Sequence, residues 1–428
     1  MPWTCSYPGT CWRKRPDKSC VSSGQIRSTE THQHQREKTM AKPEYDIEYY
    51  LDTASQLAER AGEHADQIDR DRQIPLDLAA EFADKGFFRL LRPKSLGGLE
   101  LEHPDFLKIL EIFAAVDGST GWCMNQNNVF ATNSSRFPRA VAEEIYADEK
   151  AVITNGPPSS SARAVRCEGG YRLSGRWDFS SGITHATWIA ALSPVLEEGE
   201  EPEPGFDRSS GRVMLMPKKD VKFLDFWPVQ GLRGTASFSF ELDNVFVPEE
   251  RSYSPTDSPQ EKGPLYGIPT TLLFATGFST VALGIAQASL KTAMDLAESK
   301  IPGRSFRLLK DESTTQRTIG EAEAIWHSAK AFLREAHSSV WASAKAGEEL
   351  TVEQRIKLRL AATHGIRKAT EVTDMAYTLC GSNAILDTNP IQRQFQDIHV
   401  VSQHIQGRAT HYETAGQFFM GMDPDGNF

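Results

Sequence analysis

Two short clusters in the chain hold side chains able to move protons or to grip a flat ligand. The first is Phe179-Ser180-Ser181-Gly182, with His185 just beyond it. A hydroxyl pair ending a strand beside glycine lets both backbone and side chain approach a planar molecule closely. The second cluster lies near the C-terminal end, where Asp397 is followed by His399 and His404. A histidine titrates near neutrality, so His404 suits a proton acceptor or a donor that orients a reacting group. Residue type alone leaves blander readings open. Ser181 could cap a strand end, His404 could bond a carbonyl at a helix end, and His185 could close a turn. His399 falls on another side of a helix from His404 and reads as structural.

The elements that must position these residues follow from periodicity. Around the first cluster, 171–173 and 177–179 alternate as a half-buried strand pair, with Ser174-Gly175 as the tight turn. Residues 187–192 form an apolar run that reads as a buried strand. The whole stretch 151–248 is β-rich, with runs at 151–154, 212–216 and 237–247 separated by Pro, Gly and acidic loops. Before it, Ile47, Leu51, Ala54, Ala58, Ala61, Ala65 and Ile68 step by four and three along one helical face. Short helices follow at 76–85, 107–116 and 121–132, with a loop at Pro93 and Gly97-Gly98. In the last of these, Trp122, Asn125 and Asn128 could share a face, or the asparagines could simply bridge helices. After Pro269 the pattern is helical to the end, with long helices at 272–299, 318–346 and 352–380 that form a bundle if their connections are short.

Composition narrows the classes. The chain has 428 residues, with 57 acidic against 47 basic and a formal charge of −10, which argues against a nucleic-acid partner. No uninterrupted apolar run is long enough to cross a bilayer, so no membrane partner is expected. Residues 1–39 are polar and basic, lack an apolar h-region and show no period, so a disordered tail is expected, with Met40 as a natural start. Cys123, Cys167 and Cys380 are far apart without metal-type spacing, which predicts buried thiols in a reducing cytoplasm and no metal. No G-x-G-x-x-G or Walker loop is present to cradle a phosphate.

Taken in order, these motifs resemble the acyl-CoA dehydrogenase superfamily. An aromatic residue two places before Ser, here Phe179 and Ser181, lies against the flavin in its β-domain. The Pro93…Gly97-Gly98 loop and the segment GLRGTASFSFELDNVFVP at 231–248 match it as well. The resemblance covers 40–421 and implies an α+β fold: an N-terminal helical domain (40–150), a middle β-barrel or sandwich (151–255) and a C-terminal four-helix bundle (256–428). The chemistry departs from a dehydrogenase. The glutamate that serves as base in that family is replaced by Ile405, and an aliphatic side chain cannot take a proton. The usual Q-x-H-G-G flavin contact is altered to Thr378-Leu-Cys-Gly-Ser382.

A histidine seven places after the aspartate of R-x-x-x-D, here Asp397 and His404, together with the Trp177–Gly182 corner, resembles the oxygenase components of two-component flavin monooxygenases. That likeness implies reduced FMN or FAD from a separate NAD(P)H-flavin reductase, O2, and hydroxylation of a small phenol- or indole-type aromatic through a flavin C4a-hydroperoxide. It implies Ser181 at flavin N5 and His404 at the substrate. Phe179, Ser180, Gly182, His185, Arg304 and Gln316 become further flavin contacts, and Trp122, Asn125 and Phe226 substrate contacts. A homotetramer is also expected. The alternatives are a dehydrogenase or oxidase of the same fold, or a non-catalytic helical scaffold.

Overall fold

The computed structural model describes residues 45–201, 210–303, 305–426 and 428. The expectations for residues 1–39 and for Arg304 lie outside the described residues. The first helix, α1 (Ile47–Glu63), starts at Asp46, whose carboxylate accepts the Glu48 and Tyr49 N–H groups. The single face expected through Ile68 is broken at His64, whose N–H turns back onto the Ala61 and Arg60 carbonyls. A second helix, α2 (Ala65–Asp71), then restarts with Ala65 and Ile68 still buried. Helices α3 (Leu76–Asp84), α4 (His103–Ala114), α5 (Gly118–Ala131) and α6 (Arg139–Tyr146) complete this part.

Among the described residues the β region forms two sheets. One runs β1-β4-β6-β9, from β1 (Ile153–Gly156), β4 (Trp188–Ser193), β6 (Arg212–Pro217) and β9 (Ser252–Tyr253). The other runs β5-β2-β3-β8-β7, from β2 (Arg163–Cys167), β3 (Gly170–Ser180), β5 (Val195–Leu196), β7 (Lys222–Leu224) and β8 (Phe238–Pro248). Tyr171, Leu173, Trp177 and Phe240 of the second sheet pack on Ile189, Ala191, Met214 and Met216 of the first, forming a sandwich. The outer side of the first sheet packs on α6 through Leu215, Val213, Val141 and Ile145.

The tight turn expected at Ser174-Gly175 is absent. β3 runs unbroken through it, and the pairing with β8 instead slips one register between Leu173 and Gly175. The extra residue is on β8, where Asp243 and Asn244, the latter at φ +54°, together oppose Ser174. The real hairpin turn is Glu168-Gly169, between β2 and β3.

The bundle contains α7 (Thr270–Ser299), α8 (Ser313–Ala346), α9 (Val352–Cys380), α10 (Pro390–Gln403) and α11 (Thr410–Phe419). α8 ends at Gly347 in the left-handed region, and α9 begins with a capping box between Thr351 and Gln354. α7 is long and apolar enough in composition to cross a membrane, but 78% of its most apolar window is buried inside the protein. It is the central helix: Phe106 and Phe113 of α4, Phe278 and Leu283 of α7, and Trp326 of α8 belong to one continuous core. The first helices and the bundle therefore stabilise each other. Cys123 and Cys380 are buried as expected, whereas Cys167 at the end of β2 is exposed.

At the crossing of α5 with α7, Gly277 leaves room for the Asn125 amide, and a Cβ there would overlap it. Gly320 on α8 has open space around it. Alanine in a helix interior gains about 1 kcal/mol over glycine, and overpacking a tight interface costs about 1–3 kcal/mol. Gly277→Ala is therefore expected to lower the melting temperature and Gly320→Ala to raise it slightly. Calorimetry on both variants checks this, and a rise for Gly277→Ala would show that Asn125 is free to swing aside.

Candidate active site

The corner after β3 is shaped by an unusual backbone. Pairing with β8 slips again between Trp177 and Ser180, and Phe179 takes φ +57°, a conformation costly for an aromatic residue. The twist turns the Phe179 ring outward, 62% exposed, against the edge of Trp227 at 5.8 Å. Ser180 points the opposite way. Its hydroxyl is fully buried, where a side chain on Gly156 of β1 would collide with it. At the corner Ser180 thus offers a ligand its backbone rather than its hydroxyl. Gly182 has φ +78°, and a Cβ there would lie 2.8 Å from His185 Nε2 and 3.0 Å from Asn127 Oδ1. His185 closes the corner: Nε2 bonds Asn127 Oδ1 at 3.1 Å and the ring stacks on Phe88. Burial, with Lys218 nearby, pushes its pKa down to about 3, so the ring is neutral.

Ser181 faces the helices. Trp122 Nε1 of α5 donates to its Oγ at 3.0 Å, and Oγ also bonds Ser237 Oγ at 2.7 Å. Ser237 in turn bonds Thr235 Oγ1 at 2.7 Å, and Thr235 donates to the Leu232 carbonyl at 2.8 Å. That last bond fixes the direction of the relay, because a carbonyl only accepts. Thr235 must accept from Ser237, and Ser237 from Ser181. Ser181 has then used its one proton and one lone pair, and the remaining lone pair makes it an acceptor toward any ligand.

His404 caps the end of α10, its own N–H bonding the Val401 carbonyl at 3.1 Å. Its ring meets Trp122 edge-on at 5.1 Å and Phe278 at 4.7 Å, while Trp122 stacks on Phe278 at 3.9 Å. The Gln406 N–H approaches Nδ1 at 3.4 Å, a long bond that places the ring more than it fixes a tautomer. Ser181 and His404 are thus brought together on two sides of one indole ring. His399 is elsewhere, with Nε2 bonded to Asp374 at 3.0 Å.

Trp122, Asn125 and Asn128 do not share one face, since each step of three residues drifts by about 60° around a helix. Asn128 is a staple, accepting the Leu90 N–H at 2.8 Å and donating to the Phe87 and Met124 carbonyls. Asn125 is buried against α7, with neither amide atom partnered. Phe226 is 60% exposed beneath Arg176 at 5.9 Å. Gln316 is exposed on the first turn of α8 and donates to the Lys310 carbonyl. α8 packs on α7, α9 and α4, so one chain does not bring Gln316 to the corner.

The role of Thr235, Ser237 and Phe278 escaped the sequence reading, and that of Asp397 was only a counting mark. Thr235 and Ser237 are aligned by the turn itself, since Thr235 closes a 3-10 turn and Ala236 between them is left-handed, which spacing alone does not reveal. Asp397 Oδ1 accepts the Leu232 N–H at 2.6 Å, tying α10 to the turn that carries this pair. Burial and the neighbouring Asp117 push Asp397 up to about 7, against the Leu232 N–H and Arg393.

An outward aromatic ring, a glycine corner and an acceptor hydroxyl beside a proton-active histidine suit a flat, nitrogen-bearing ring system held between sheet and bundle, as in flavoproteins of the acyl-CoA dehydrogenase fold. Residues 46–138 match the model of the acyl-CoA dehydrogenase N-terminal domain and residues 276–408 that of its C-terminal domain. The chain is 30% identical to the indole-3-acetate monooxygenase of Pseudomonas putida over 84% of its own length and 90% of that protein. It is 24% identical to an FADH2-dependent resorcinol hydroxylase oxygenase component from Rhizobium, over 85% and 92% of the two chains. The crystal structure of the HsaA monooxygenase from Mycobacterium tuberculosis superposes with a TM-score of 0.81 at 25% identity, over 89% of this chain and 99% of that one. The chain belongs to the flavin-dependent monooxygenases built on the acyl-CoA dehydrogenase fold, as an oxygenase component.

Because the folded pKa of Asp397 lies above the value of about 3.9 in an unfolded chain, the native state binds the extra proton between those values. Its contribution to stability therefore falls as pH rises from about 4 to 7. Asp397→Asn keeps an acceptor for Leu232 and removes the charge. Denaturant unfolding at pH 5 and pH 8 is expected to show a smaller loss for the variant than for the wild type. Equal losses would mean that Asp397 is ionised throughout.

Proposed function

We propose that this oxygenase hydroxylates a small aromatic of phenol or indole type, with Ser181 serving the flavin and His404 the substrate. The observation that carries it is the convergence of both residues on Trp122, bonded to Ser181 and edge-on to His404. Bound reduced FMN or FAD, delivered by a separate NAD(P)H-flavin reductase, supplies the electrons that activate O2. The chain's own part is to hold protons and exclude water. As an acceptor, Ser181 Oγ matches the N–H that reduced flavin carries at N5 and mismatches the bare nitrogen of the oxidised form. His404 takes or orients the ionisable proton of the substrate. The Trp122–Phe278 stack supplies an apolar wall beside them. Ile405 at the base position disfavours the dehydrogenase alternative, and the aligned relay disfavours an inert scaffold.

This reading includes a homotetramer in a reducing cytoplasm. It is supported by the unpaired thiols Cys123, Cys167 and Cys380 and by the distance of Gln316 from its own corner, which suits flavin contacts shared between chains. Light scattering at micromolar concentration is expected to give four chains; a monomer would refute it.

The two roles fail differently when removed. The wild type is expected to bind reduced flavin more tightly than oxidised flavin in anaerobic titrations. Ser181→Ala should lose much of that preference and release hydrogen peroxide in place of product. His404→Ala should keep the preference but hydroxylate on the order of a hundredfold more slowly. Stopped-flow absorbance with product and peroxide quantified separates the stages. Wild-type hydroxylation by His404→Ala would return that histidine to a structural role.

A further inference from the structure

His404 precedes a single 3-10 turn, Ile405–Gly407, and its Nδ1 accepts the Gln406 N–H at 3.4 Å. A lone turn of this kind closes too few hydrogen bonds to hold its own shape, so its direction is set from outside. Three side chains spaced four apart on α9 do this. Arg359 Nη1 donates to Gln406 Oε1, Thr363 Oγ1 to the Gln406 carbonyl at 3.2 Å, and Arg367 Nε to the Gly407 carbonyl at 2.9 Å. Gly407 also lies against α9, where a Cβ would come within 3.0 Å of Ile366 Cγ2. Beyond the turn, His411 Nε2 bonds the Ile405 carbonyl at 2.9 Å.

These bonds converge on Gln406, which is 8% exposed. Its side-chain oxygen is held by Arg359, its carbonyl by Thr363, and its N–H points to His404. Arg359 is the unusual holder. It is 2% exposed, its other acceptors are the hydroxyl and carbonyl of Thr271, and its Nε–H has no partner. All of those acceptors are neutral, and burial pushes its pKa down to about 10, which still leaves it charged at neutral pH. An apolar side chain of similar size would fill the space at lower cost, so stability alone does not account for the charge. Position does. Thr271 lies on α7 about two turns before Phe278, so one guanidinium references Gln406 to the helix whose Phe278 meets His404 at 4.7 Å. We propose that Gln406, clamped by Arg359, is a positioning residue that sets the angle at which the His404 ring meets the substrate. The inference rests on the proposed role of His404 and extends it to side chains that act only through that ring. A turn freed from α9 lets the ring swing, and a misplacement of about 1 Å at a reacting group costs on the order of a hundredfold.

The test uses the full chain with a generic flavin reductase, NADH and whichever of indole-3-acetate, indole and resorcinol the wild type hydroxylates best. Gln406→Leu and Arg359→Met are each expected to slow product formation about tenfold or more. Affinity for reduced FMN and reduced FAD and the rate of O2 consumption should stay at wild-type levels, with hydrogen peroxide replacing product. The double variant should be no slower than the slower single, because both substitutions break one contact. Gln406→Glu should recover most of the product, since a carboxylate accepts the guanidinium hydrogen bond more strongly. In a His404→Ala background, Gln406→Leu should cost nothing further. Wild-type product yield in both single variants overturns the proposal, and so do additive losses in the double. A parallel loss of reduced-flavin affinity, or a further loss in the His404→Ala background, would show a brace for the fold alone and overturn it too. Should either single variant not fold, Thr363→Val frees the Gln406 carbonyl with little change in size, and a wild-type yield there overturns the proposal. If His404→Ala is slow while Gln406→Leu is not, only the positioning falls. No product from any of the three compounds, or wild-type hydroxylation by His404→Ala, overturns the role of the histidine and this inference with it.

Discussion

One hydrogen bond joins the sheet to the bundle where the chemistry is placed: the Leu232 N–H to the buried carboxylate of Asp397. The turn it holds is strained, since Leu232 and Ala236 both take left-handed φ, at +48° and +44°. Each such residue costs on the order of 1–3 kcal/mol unless its surroundings compel it. The compulsion is visible. Asp397 holds the first residue, Arg233 donates to the Asp69 and Val229 carbonyls, and Thr235 bonds back to Leu232. Without the turn, Thr235 and Ser237 would not line up behind Ser181. A carboxylate buried beside a second one is a poor choice for stability but a good one for position, because its bond to an N–H is short and directional.

From that joint the polarity of the site follows without any ligand. The Leu232 carbonyl ends a one-way relay, so each hydroxyl back to Ser181 has its proton committed. Such an arrangement costs no reorganisation when a ligand arrives, which is what preorganised sites share. Trp122 adds the second reference. Its indole N–H is satisfied by Ser181, its face by Phe278, and its edge by His404. The serine on the sheet and the histidine on the bundle are therefore located by the same rigid ring, although they are far apart in the chain.

Much of this was legible in the sequence where a pattern repeats. The long helices of the bundle followed from steps of three and four, and α9 falls at 352–380 as expected. Ser181 and His404 were singled out by the family resemblance, and both contact Trp122 in the structure. What escaped depended on geometry that spacing does not encode. Ser174-Gly175 has the composition of a hairpin turn, yet a strand paired along both sides runs through it, opposite a bulge in β8. Ser180 and Ser181 look alike in sequence, but the left-handed Phe179 between strand and corner sends one hydroxyl into the sheet and the other to Trp122. Asn125 and Asn128 are likewise indistinguishable until α7 and the loop at Phe87 are seen to take one each.

The α9 stripe shows why charge in a helix is the hardest signal to read. Arg359, Thr363 and Arg367 recur every fourth residue, as solvated positions commonly do, and nothing local marks them as buried. Their direction is set by α7, which fills the other side of α9 with apolar contacts, and by the turn after α10, whose carbonyls have no partners within their own element. A helix end must satisfy its last carbonyls with something, and here the donors come from a neighbouring helix. The same donors that complete the backbone of 406–407 thus brace the turn that keeps His404 against Phe278 and Trp122. Holding the histidine and satisfying a buried helix terminus are one structural task, and a fold that achieved only the second would already have built most of the site.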